Sequence, residues 1–192
     1  TVASRSYTDF EPYAQMEFSK GKNKFELNYR MRVTQPEFQS LMPSDDTTDP
    51  LALRINNPDL KAITRHWLGG KATFRCDSID LTWYAGAQTY IVRNDFGTRT
   101  TYNSQTGAYT YIDDNVDGNW DFELNGGLNG TFDKKRRLRY VFDASVKYIH
   151  SVDFDVAYDT SADVLSTVET MRTNLNLNLT YTLGKLTAGL AG

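Results

Sequence analysis

Residues 170–183 alternate without a break. Met171, Thr173, Leu175, Leu177, Leu179, Tyr181 and Leu183 fall on one parity, and Thr170, Arg172, Asn174, Asn176, Asn178, Thr180 and Thr182 on the other. Successive side chains of a β-strand point to opposite faces, so this spacing predicts a strand with one apolar and one wet face. The same period recurs along most of the chain. Few architectures use many long, strictly alternating strands.

Eight such segments can be marked, at about residues 10–19, 25–34, 64–76, 79–91, 120–132, 138–148 and 170–183, with the eighth beginning at Leu186. Connections are short after the first, third, fifth and seventh, at Gly21-Lys22-Asn23, Asp77-Ser78, residues 133–137 and Gly184-Lys185. They are long after the others, spanning about 35–61, 93–118 and 153–167, and the middle one has turn signals for its own hairpin around 103–107. This layout predicts an all-β, antiparallel, up-and-down segment of a transmembrane barrel, with tight turns at one rim and extended loops at the other. Pro12 lies near the start of the first segment, where a missing backbone donor is tolerated.

The apolar faces of segments two, four, five, six and seven carry no charge over about ten positions each, enough for a tilted strand to cross roughly 25 Å of lipid. Phe25, Trp120, Phe132, Tyr148 and Tyr181 sit near segment ends, where interfacial aromatics belong. Alternation by itself leaves open whether the apolar face looks outward to lipid or inward to a core, as in a soluble sandwich or lipocalin-like barrel. No run of about 18 apolar residues exists for a transmembrane helix, which says nothing of strands. A net charge of −3 argues against a dedicated nucleic-acid binder. Cys76 is the single cysteine and makes no internal disulfide. The N-terminus shows no basic region followed by an apolar core, so no signal peptide is read there.

One stretch is more specific. Asn28-Tyr29-Arg30 is followed by Gln35-Pro36, Leu41, Pro43, Asp49-Pro50-Leu51 and then Asn56-Asn57-Pro58-Asp59-Leu60-Lys61. This resembles the barrel of TonB-dependent outer-membrane receptors, especially the Bacteroidetes-type outer membrane β-barrel family, and the Asn119-Trp120 start and the 172–183 strand are similar too. Asn56 stands where that family usually has Gly, and Ala62 where it has Pro; Asn tolerates left-handed backbone better than most residues. The resemblance implies that residues 1–192 are part of a single barrel domain, an excerpt whose plug, TonB-contacting segment and terminal aromatic strand lie elsewhere. It implies nutrient uptake in the outer membrane, with lipid, the TonB complex and a surface lipoprotein as partners. The rival readings are a complete eight-stranded outer-membrane protein with a structural or adhesive role, and a soluble ligand-binding barrel.

Asp113, Asn115 and Asp117 before Gly118 match the opening of a calcium loop, three oxygen ligands with Gly at the sharp turn. The acid such a loop needs falls at Leu124, with Glu123 one residue short, so an Asp/Asn-rich turn is the other reading. His66 and His150 lack metal-ligand spacing and are read as strand-end residues. No nucleophile elbow or phosphate-cradling loop is present, so no catalysis and no other cofactor is expected. Lys134-Lys135-Arg136-Arg137 reads as a solvated turn. The polar strand faces carry Arg30, Arg32, Arg65, Lys71, Arg75, Arg139, Lys147 and Arg172 with Glu17, Glu26, Asp80, Asp121, Glu123 and Asp143, a charge network that can also line a substrate path. Substrate contact is expected in the long loops, from the aromatic residues Phe96, Tyr102, Tyr109, Tyr111 and Phe154.

Overall fold

A computed structural model describes residues 6–42, 48–133, 135–160 and 162–192. Pro43 and Lys134 lie outside the described residues. The described chain forms twelve strands and no α-helix. Eight of them, β1 (Tyr13–Lys20), β2 (Asn23–Thr34), β4 (Ile63–Cys76), β5 (Leu81–Arg93), β8 (Trp120–Thr131), β9 (Leu138–Phe154), β11 (Leu165–Leu183) and β12 (Leu186–Ala191), make one antiparallel sheet in that order. The other four are β3 (Ala52–Ile55), β6 (Asp95–Asn103), β7 (Ala108–Val116) and β10 (Val156–Tyr158), which form a second sheet at the long-loop end.

Register keeps one set of side chains together across the whole main sheet. Met16 faces Leu27, which faces Gly70, then Ala87, then Leu124, then Val146 and Thr173. The apolar parity of every strand therefore lies on the same face. Nothing in the described chain covers it: Met171, Leu175 and Leu190 are 70%, 67% and 71% exposed. A contiguous apolar surface of this extent is not tolerated in water, and the face is lipid-facing rather than the inside of a soluble barrel. β1 and β12 are the two edges of the sheet, whereas a closed eight-stranded barrel would pair them.

Aromatic pairs border the face at both ends. Near the turns, Phe18, Phe25, Phe74 and Trp83 touch in sequence, the last pair stacked at 4.2 Å, and Phe132 meets Tyr140 at 4.4 Å. Near the long loops, Trp120 packs on Tyr148 and stacks on His150, while the Tyr29 hydroxyl hydrogen-bonds His66 Nδ1 at 2.9 Å. From Tyr140 to His150 along β9, a rise of about 3.3 Å per residue at a tilt near 40° gives a height of roughly 25 Å. That is the height of a lipid-facing band.

Several boundaries differ from the sequence-based expectation. Pro12 precedes β1, and its carbonyl accepts the Met31 amide at 3.0 Å. Ile79 belongs to a turn, the 3-10 turn Asp77–Ile79, which ends at Asp80 in left-handed backbone (φ 47°). β9 and β11 pair from Tyr181 opposite Leu138 to Leu165 opposite Phe154, so the third loop is shorter than its polar composition suggests. Nor is the fold purely antiparallel: β10 runs parallel to β6, and β3 parallel to β7.

The small core sits where the two sheets meet, at Leu41, Leu60, Ile63, Val116 and Ala157. Leu60 belongs to a strap fastened to β7 by its neighbours. Asn57 Nδ2 donates to the Asp113 carbonyl at 3.0 Å, and Asn115 both accepts the Lys61 amide (2.8 Å) and donates to the Lys61 carbonyl (3.0 Å). The Asp59 amide closes the local turn on Asn57 Oδ1.

Two outcomes are expected. In the full-length protein refolded into vesicles, Leu175→Arg costs about 2–4 kcal/mol while Asn176→Arg, on the opposite face, costs far less; equal costs would sink the assignment of faces. Leu60→Ala loosens the strap by about 2–5 kcal/mol, read as faster hydrogen exchange at the Lys61 amide and unchanged exchange in mid-β9.

Candidate functional site

The three long loops do not act separately. The β6–β7 hairpin rises directly out of β5 and β8, bending at Asn94 (φ 52°) and Gly118 (φ 113°). A bare hairpin would leave two edges of unpaired backbone, and edges are covered wherever a fold can do so. Here β3 from the first loop covers one and β10 from the third covers the other. Asn119 ties the base together, its amide donating to Asp95 Oδ2 (2.9 Å) and its oxygen accepting the Val152 amide (2.6 Å).

Register then decides which side chains share a face of this outer sheet. Tyr158 lies opposite Tyr102, Tyr102 opposite Tyr109, and Arg54 opposite Tyr111. The rings make a continuous ladder: Tyr158 to Tyr102 at 5.8 Å, Tyr102 to Tyr109 at 4.9 Å, and Tyr109 to Tyr111 at 6.2 Å, with the Arg54 guanidinium 5.8 Å from the Tyr111 ring. Tyr158 is 68% exposed. The ladder offers π-faces, phenol hydroxyls and one cation to a ligand with a planar or ring-bearing surface. Tyr102, Tyr109 and Tyr111 were legible as loop aromatics, whereas Tyr158 and Arg54 were not. Their strands have three and four residues, too short to show a period.

The other two aromatic candidates go elsewhere. Phe154 is on the opposite side, packed so closely over Gly97 that a Cβ there would lie 2.9 Å from its ring. Phe96 shares the tyrosine face but lies at the base of β6, opposite Asn115.

Asp113–Gly118, read by its spacing as the opening of a calcium loop, is the end of a β-strand and the bend that follows it. Its side chains fasten neighbouring segments. Asp113 accepts the Thr98 hydroxyl at 3.0 Å, Asn115 grips Lys61, and Asp117 accepts the Asn94 amide at 2.8 Å. Among the described residues, no group of three His, Cys, Asp or Glu side chains is placed to hold a metal ion. Asn56, in the family position usually held by Gly, does not have left-handed backbone.

Several charged groups on the polar face of the main sheet are paired. Lys147 meets Asp121 at 3.0 Å, Lys24 meets Glu17 and Glu26 at 3.1 and 3.0 Å, and Tyr84 donates to Asp143 at 2.7 Å. Gly127 makes room for that last pair, since a Cβ there would come within 2.4 Å of the Asp143 carboxylate and 2.7 Å of the Tyr84 ring. At the turn end, the Asp133 carboxylate accepts the amides of Leu138 and Arg137, which holds it below its ordinary value.

Comparison with known proteins agrees with this architecture. Among solved structures, the chain is similar to the siderophore receptor PirA from Pseudomonas aeruginosa. The TM-score is 0.52 at 13% sequence identity, over 95% of this chain and 38% of that one. At that identity the likeness concerns the fold alone, and the chain spans less than two-fifths of that receptor's length. No curated protein sequence matches. The profile of the outer membrane protein beta-barrel family matches residues 1–190. The chain is therefore a member of the outer membrane protein beta-barrel family, and its place is the outer membrane.

Proposed function

We propose that the chain is one arc of the barrel domain of a receptor that takes up a scarce nutrient across the outer membrane, energised through TonB by parts of the protein beyond this arc. The observation that carries the reading is the outer sheet. Three loops are knit into one four-stranded sheet at a single rim, and its solvent face displays Tyr102, Tyr109, Tyr111 and Tyr158 in a row. A wall protein with only a structural role has no use for so ordered an aromatic ladder. Binding sites gather on loops held by a rigid scaffold. A surface lipoprotein docking on the same rim would hand over or retain the ligand there, and no chemical step by the chain itself is needed.

The test is energised accumulation. A strain lacking the full-length gene should lose uptake of at least one solute from a panel of metal chelates, oligosaccharides, peptides and vitamins, and an uncoupler should abolish the same uptake in the parent. Unchanged uptake across the panel, with a leaky or non-adherent cell surface instead, would favour the structural or adhesive role. For the solute so found, Tyr109→Ala and Tyr158→Ala should each weaken binding about three- to tenfold, matching roughly 0.5–1.5 kcal/mol for one aromatic contact.

The platform also predicts a pH dependence. Asp159, next to Tyr158, is held below its ordinary value by the Ser104 hydroxyl and by the Ser104 amide at 2.6 Å. A carboxylate with a lowered folded-state value contributes fully above its unfolded value, near pH 4, and loses that contribution as pH falls through the lowered one. Solute binding should weaken over that acidic window, and Asp159→Asn should weaken it at neutral pH and flatten the profile.

A further inference from the structure

Among the described residues, Arg30, Arg32, Lys71, Arg139 and Arg172 on the polar face have no carboxylate at ion-pair distance, and two of them lie together. Arg30 and Arg32 on β2 lie opposite Trp67 and Arg65 on β4, and Trp67 lies opposite Tyr90 on β5. These five side chains line an open cleft of about 350 Å³ just below the long-loop rim. Arg65 has the Thr34 hydroxyl at 3.0 Å and Asp95 at a long 3.8 Å. Arg30 lies over the Tyr13 ring at 5.4 Å. Among the described residues, neither Arg30 nor Arg32 has a carboxylate within ion-pair distance.

Arg32 and Arg65 are directly opposite each other, a like-charge pair that disfavours the sheet unless something negative sits between them. Lys147, whose ammonium lies 5.8 Å from the Tyr90 ring, is by contrast neutralised by Asp121. A second, independent observation concerns Trp67. Its ring is laid over Gly69, where a Cβ would come within 2.6 Å of it, and its indole N–H is buried with no hydrogen-bond partner among the described residues. A buried donor without a partner is unfavourable, and it belongs to a ring that walls the cleft.

We infer that the cleft lined by Arg30, Arg32, Arg65, Trp67 and Tyr90 is an anion site, which takes a carboxylate or phosphate group of a small solute moving along the polar wall. Guanidinium groups present forked donors that match both groups, and the two rings wall the site against the sheet. The inference rests on the uptake reading, because it gives the transported solute a negative group and places its second contact beneath the tyrosine platform.

The test uses the full-length protein in detergent, titrated calorimetrically with citrate and with pyrophosphate at low salt. The wild type should bind at least one of them. R32Q/R65Q should weaken that binding at least tenfold, and Arg139→Gln, on the same face at the turn end, should leave it unchanged. Heat-shifted gel mobility reports folding. Should the double variant fail to fold, R32K/R65K keeps the charge but loses the fork and should weaken binding several-fold.

Wild-type protein that ignores both anions overturns the site, as it would if an acidic segment of the same protein already filled the cleft. Affinity unmoved by the glutamine variants overturns it too. Uptake that depends on the gene alongside unmoved affinity removes the anion site and leaves transport standing. Affinity that follows the arginines without gene-dependent uptake does the reverse.

Discussion

Inside a bilayer no water is available to pair a peptide group, so each backbone donor and acceptor of a crossing strand must find its partner in the sheet. The unbroken ladders meet that demand for the six strands between the β1 and β12 edges, and they fix everything else. A slip of one residue between any two strands would turn a whole strand's apolar parity to the wet side. Because register is continuous, uncharged side chains from eight strands coincide on one face, and the charged ones coincide on the other. The aromatic borders follow from the same ladder, since Phe74 can stack on Trp83 only where the register sets them opposite each other.

The outer sheet is the same constraint met in water. Its hairpin continues β5 and β8 past the membrane, and short strands from the flanking loops complete its edges. Packing there is local: the only buried hydrophobic side chains among the described residues lie at the junction and around β10. What stabilises the platform is a set of side-chain-to-backbone ties at Asn57, Asn115 and Asn119 that join segments distant in sequence.

Much of the main sheet was legible because long strands repeat their period. The 170–183 alternation announced both faces of β11, and the alternation of short and long connections announced the common rim. The outer sheet was largely hidden. β3 and β10 have too few residues for a pattern, and their parallel pairing depends on contacts between separate loops that no local spacing encodes. The Asp113–Gly118 spacing admits two readings for a related reason. Alternate Asp and Asn residues suit a metal loop, but alternation is also what a strand needs when one of its faces ties down its neighbours. The tyrosines were visible as types, and only register showed that three of them, joined by Tyr158, form one ladder.

The residues that carry the family resemblance are also the least available to choose a ligand. Asn57 spends its amide on the β7 backbone, Leu60 is buried, and Lys61 is held through its main chain. Asn119 is likewise consumed in joining three segments. Discrimination among solutes must then fall to side chains outside that motif, and the exposed Tyr158 and Arg32, which has no ion pair among the described residues, meet that condition. A scaffold divided in this way can hold its platform constant while the faces that touch cargo differ. Fold membership therefore leaves the solute open, while the charge and ring chemistry of the two faces narrows it.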